Sequence, residues 1–314
     1  MIKLVLKRWY IMSITYNIDA KQNVEQLFES VLSTNFNLLQ KLKMSLFSMD
    51  NTQLIHDLRV CLRKMRSLFS IFKFSISKDA LYFLSNEMHY FGLKLDYPRD
   101  LDVYIENYFN KETLSHGEKL VYQVAKKQQD KEHKKVITLL QSKRFERFLK
   151  SLENWILEKE WRKTLNLEQN KKLQENCDNF ARNTIHFYQK NILSFGVDIE
   201  HLSDKSLHKL RILLKKLRYA TEFFSPLLQD NISLLIKNLK KLQDILGFLH
   251  DRFILKKLHK KLLKKQRSKE IHEFKYQLEL QQKIESIKVK KVLKVEWENF
   301  IKIKRQYEDT FAIE

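Results

Sequence analysis

One helix is written twice in this chain, and that repeat limits the folds open to it more than any other feature. Ile55 to Phe72, IHDLRVCLRKMRSLFSIF, returns 152 positions later as Leu207 to Phe224, LHKLRILLKKLRYATEFF. In each copy a His is followed at +3 by Arg, at +7 and +8 by a basic pair, and at +10 by Arg. The sets are His56, Arg59, Arg63, Lys64 and Arg66, then His208, Arg211, Lys215, Lys216 and Arg218. A second segment, LDYPRD from Leu95 to Asp100, matches LGFLHD from Leu246 to Asp251 at an offset of 151. Two segments at nearly one offset predict a duplicated unit of roughly 150 residues. The halves would run over 19–162 and 168–314, behind a lead-in at 1–18, with the boundary at Lys163 to Leu167.

On a wheel of about 100° per residue, Arg59, Arg63 and Arg66 fall within a quarter turn of His56, and Lys64 sits at the edge of that face. Leu58, Cys61, Leu62, Met65, Leu68, Phe69 and Phe72 gather on the opposite side. The second copy places His208, Arg211, Lys215 and Arg218 outward and Leu210, Leu213, Leu214, Leu217, Ala220 and Phe224 inward. One face is core; the other is a cationic ladder. Cations one turn apart repel one another on a lone helix, so the ladder calls for something negative. Guanidinium groups grip phosphate oxygens bidentately, ammonium groups act as point charges, and a protonated His can donate to an oxyanion. A solvated basic face is the ordinary fate of a Lys-rich helix. Here the basic types return position by position, and Arg is kept at +3 and +10 in a chain that elsewhere prefers Lys.

With 43% apolar residues there is material for a packed core, and only 4 Gly and 2 Pro interrupt it. The expectation is an all-α chain with almost no strand. The spacing predicts helices from about Asp19, as N-cap, to Phe47; from Asn51 through the first motif; from Ser77 to Gly92; and from Pro98, at N1, to Phe109. Further helices are expected over Ser115 to Gln141, Ser142 to Arg162, Gln169 to Leu193, Asp204 to Phe224, Ile232 to Leu246, His250 to Leu263 and Lys269 to Glu308, with stops at Gly196 and Pro226. Cys61 and Cys177 lie alone in helical patterns, which suggests neither a disulfide framework nor a metal knuckle.

A formal net charge of +21 makes a polyanion the expected partner. Between Asp204 and Lys265 stand 16 Lys or Arg against 5 Asp or Glu, so the second half carries the denser field. The basic, apolar stretch from Met1 to Tyr16 is too short to span a bilayer and no small-residue cleavage site follows it, so a cytoplasmic location is expected. Trp155, Trp161 and Trp297 are scattered as core or rim residues would be, which argues against a membrane surface.

Four segments resemble the CHAD domain, the conserved-histidine α-helical family, and occur in family order. They are HDLRVCLRKMRSLFSIF (His56 to Phe72), PRDLDVYIENY (Pro98 to Tyr108), LHKLRILLKKLRYATEFFSPL (Leu207 to Leu227) and LKKLQDILGFLHD (Leu239 to Asp251). The resemblance implies two pseudo-symmetric antiparallel four-helix-type bundles, a basic central channel, and binding of inorganic polyphosphate; the expectation is binding without catalysis, cofactor or metal. It maps the family's His onto His56 and His208, and its basic positions onto Arg59, Arg63, Lys64, Arg66, Arg211, Lys215, Lys216 and Arg218. It also makes association with polyphosphate granules, or with a protein partner that acts on polyphosphate, an expectation. Asp100 and Asp251 correspond across the repeat and are expected to orient nearby Arg side chains or cap helices.

Two rival readings stand beside this one. Nucleic acid shares the phosphate chemistry, but its grooves add stacking aromatics or Asn and Gln edge readers, and apart from Tyr219 the ladders lack them. A metal-dependent phosphohydrolase of the HD type would use the doublets His56-Asp57 and His250-Asp251, helped by His89, His186 and Asp244. The repeat weighs against it, because Asp57 becomes Lys209 while His56 remains a His.

Overall fold

The structure, a computed structural model, describes residues 16–228 and 232–311, with side chains to residue 303. Ten α-helices carry the described chain. The first half runs through α1 (Val24–Met44), α2 (Asn51–Ile71), α3 (Lys78–Phe109), α4 (His116–Leu140) and α5 (Lys143–Leu157). A short α6 (Leu167–Gln174) leads into α7 (Cys177–Leu193), α8 (Asp204–Phe223), α9 (Ile232–Leu262) and α10 (Lys269–Phe311). Four helices of the first half, α1 to α4, and four of the second, α7 to α10, follow in sequence, and the all-α expectation is met. Among the described residues the only β pairing is one antiparallel bridge, Asn23 with Asn176. No helix among the described residues is long and apolar enough to cross a membrane. Most of the lead-in lies outside the described residues, but Tyr16 is buried with its ring edge-on to Phe223, so the chain is already part of the core there.

Five boundaries differ from the expectation, each for a physical reason. Asn23, not Asp19, caps α1, because its side chain and that of Gln26 satisfy each other's backbone N–H in a capping box. Pro98 does not open a helix but lies buried inside α3. Its ring removes one backbone bond, to the carbonyl of exposed Lys94, while Leu95, Leu101 and Tyr104 bury on either side and hold the helix through it. The two helices expected at 232–246 and 250–263 are likewise one, α9, because Leu246 and Leu249 bury across Gly247. Residues 142–162 divide where Lys159 takes a left-handed φ of 48°. The helix expected over 169–193 divides at Glu175 and Asn176, whose extended backbones form the bridge to Asn23 and let the Asn176 side chain cap α7.

Each long helix packs against the next within its half, and α2 also packs on α8. Val31, Leu58 and Phe72 of the first half share one apolar cluster with Leu214, Phe224 and Trp297 of the second. A second cluster sits at the far ends of the long helices, where Leu101, Tyr104 and Val121 meet Leu255, Leu258 and Leu278. Two hydrogen bonds tie it: the Tyr104 hydroxyl lies 3.1 Å from His259 Nε2, and His259 Nδ1 lies 3.2 Å from Glu279. The contact of α2 with α8, within the first cluster, sets the position of both cationic ladders.

Candidate functional site

The ten ladder residues do not all lie where the wheel puts them. Arg66 and His208 are exposed, while His56, Arg59, Arg63, Arg211, Lys215 and Lys216 are partly buried. Lys64 and Arg218 are buried, a departure from the edge of the cationic face expected of Lys64 and the outward placement expected of Arg218. They turn into the contact between α2 and α8, where Arg218 Nη1 reaches Glu222 at 2.8 Å and the same carboxylate steadies Lys64. Burial still pushes the Lys64 ammonium below the usual lysine range, against the pull of Glu222. Arg218 and Glu222 pair within α8, and Lys64 of α2 lies within electrostatic reach of both.

Four of the other rungs converge. Arg59, Arg63, Arg211 and Lys215 lie within electrostatic reach of one another, although they come from helices in different halves. Burial, then Arg63, Arg211, Arg59 and Arg218, push the Lys215 ammonium down to about 6. Arg63 Nε and Arg211 Nε are buried and find no hydrogen-bond partner among the described residues. A buried donor left unmet costs about 1–3 kcal/mol, and a ligand oxygen would remove that cost. Acids border the cluster, with Arg59 Nη2 at 2.7 Å from Asp96 Oδ1. Burial raises the Asp100 carboxyl to about 6 against the pull of Arg59, and Asp251 acts on both Arg59 and Arg211.

The fold has known counterparts. The family model described as CHAD domain matches residues 31–260. The chain belongs to the CHAD domain family. Among solved structures, the crystal structure of the CHAD domain from the plant Ricinus communis superposes with a TM-score of 0.78 at 20% identity, covering 93% of this chain and 97% of that one. PptA from Streptomyces chartreusis superposes at 0.64 and 12% identity, covering 88% of this chain and all of that one. At these identities the likeness concerns the fold. No curated protein matches the sequence.

Within this CHAD domain the halves differ most in their acids. By the repeat, Asp57, Asp96, Asp100 and Asp102 of the first half correspond to Lys209, Gly247, Asp251 and Phe253 of the second. Arg59 has Asp96, whereas Arg211 lies along Gly247, 3.9 Å from where a Cβ would stand. Asp102 is used up internally: it accepts from Gln129 at 2.8 Å and lies 2.7 Å from His133 Nε2. The counter-charge that Asp96 gives Arg59 therefore has no equivalent at position 247, while Asp251 acts on Arg211.

Two residues beside the ladders lie outside the predicted set. His250 of α9 stacks 5.0 Å from His208, and burial with Arg211, His208 and Lys215 holds it down to about 4. Lys73 acts on Lys216. The signal for His250 was its place in LGFLHD, opposite Arg99 in the repeat. Among the described residues, one group of three carboxylate and imidazole side chains lies close enough to share a metal, Asp198, Glu200 and His201. It contains neither His-Asp doublet, and Lys294 already occupies Glu200 at 2.8 Å.

Proposed function

We propose that this CHAD domain binds inorganic polyphosphate, without catalysing a reaction on it, in the region where the two motif helices meet. The observation that carries the reading is two buried guanidinium donors without partners among the described residues, Arg63 Nε on α2 and Arg211 Nε on α8, where burial and then the neighbouring cations hold Lys215 near 6. A flexible polymer with one anion per monomer meets several such donors at once and releases its counterions in doing so. Membership of the CHAD family supports the same ligand, since that is what the sequence resemblance implies. His56, Arg59, Arg66, His208, Lys215 and Lys216 would line the approach, with Lys64 and Arg218 supporting them from inside. A cytoplasmic protein that concentrates on polyphosphate granules fits this activity.

The test compares long-chain polyphosphate with single-stranded and duplex DNA of equal charge at about 0.15 M salt, using the wild type and an Arg66→Ala, Arg211→Ala variant. Tighter binding of polyphosphate, lost in the variant while the thermal transition is kept, is the expected result. Equal binding of all three polymers, or unchanged binding by the variant, overturns the proposal.

A further inference from the structure

Helix α10 is apolar on two opposite faces, and among the described residues the chain covers only one of them. Leu278, Leu293 and Trp297 turn inward and are buried against α9, α4 and the turn at Ile199–His201. Half a turn away, Tyr276, Leu280, Ile284 and Ile287 form a stripe that stays open, with Ile287 60% exposed. Single exposed apolar residues are ordinary; four in register on one helix face mark an interaction surface.

The order of residues along the stripe selects its occupant. Glu273 stands on the same line just before the apolar set, and Lys291 just after it. We propose that a second copy of this chain docks on this stripe, helix against helix and antiparallel, to make a homodimer with its two-fold axis near residue 282. In that register Tyr276 meets Ile287 of the second copy, Leu280 meets Ile284, and Glu273 meets Lys291, each contact occurring twice as a two-fold interface requires. A parallel pairing would set Lys291 on Lys291 and Glu273 on Glu273, and like charges placed together are unfavourable. Gln277 donates to Glu273 Oε1 at 2.6 Å, which fixes the carboxylate on the helix and leaves its second oxygen for the incoming ammonium.

Sedimentation of the full chain over a wide concentration range tests the proposal. The wild type should pass from monomer to dimer, and Ile284→Glu should remain monomeric while keeping its helical circular dichroism and its polyphosphate affinity. Glu273→Lys or Lys291→Glu alone should each weaken the dimer roughly tenfold, because each turns two attractive pairs repulsive, and the two together should restore it. A wild type that is monomeric throughout, or a double exchange that fails to recover what the single ones lose, overturns the antiparallel dimer.

Discussion

Arg59 donates to Asp96 across 2.7 Å, while its counterpart in the repeat, Arg211, lies beside Gly247. The first ladder carries a contacting counter-charge at this position that the second lacks, although Asp251 still acts on Arg211. A side chain at position 247 has room, since a Cβ there would meet nothing closer than the Arg211 guanidinium itself, at 3.9 Å. Gly247→Asp should therefore fold well, pair with Arg211, and weaken polyphosphate binding with a shallower salt dependence. Asp96→Gly should do the reverse; titrations at several salt concentrations read both.

Lys215 links binding to protons. Its folded-state value is about 6 beside Arg63, Arg211, Arg59 and Arg218, with His250 near by, and an anion in their midst would raise it. Polyphosphate affinity is therefore expected to be highest below about pH 6 and to fall as pH rises above it, by up to tenfold per unit from this one proton. Lys215→Arg should bind with a flatter pH profile. For the unliganded protein the sign is opposite: between about 6 and the ordinary lysine value of 10.5 the unfolded chain holds the extra proton, so this group's contribution makes stability rise with pH across that window. Binding isotherms and denaturant titrations over the same pH range check both slopes.

Stability and binding should separate along the ladders. Glu222→Gln leaves Arg218 and Lys64 buried without their shared carboxylate and is expected to cost about 3–5 kcal/mol in denaturant unfolding. Arg66→Ala, at an exposed rung, should stay within about 0.5 kcal/mol of wild type and still lose affinity.

Gly117, in the first turn of α4, brings that helix against the start of α10. A Cβ there would stand 2.8 Å from the backbone oxygen of Glu270, closer than the two helix ends can tolerate. Gly117→Ala should destabilise by about 1–3 kcal/mol, seen as a lower denaturant midpoint.

Much of the fold was legible in the sequence because apolar spacing and capping residues act locally. Ser77, Ser115 and Ser142 each cap the helix they were expected to start. The misplaced boundaries are those where distant packing overrides a local signal. Pro98 reads as a helix start until Leu95 and Leu101 are seen to bury together, and the break at Asn176 has meaning only once Asn23 is beside it. At the candidate site, the wheel found the helix faces but treated each helix alone. It could not show that α2 and α8 pack against each other, and that contact is what takes Lys64 and Arg218 out of solvent.

The bridge between Asn23 and Asn176 also bears on how the chain folds. Asn23 Nδ2 donates to Gln174 from 151 positions away, and Val24 N and Cys177 N donate reciprocally to Glu175 O and Gln22 O. Closing so long a loop is slow compared with zipping neighbouring helices together, so this clasp is expected to form after the rate-limiting step, once each half has assembled its own helices. Replacing Asn23 or Asn176 by Ala should then hasten unfolding and leave the refolding rate nearly unchanged.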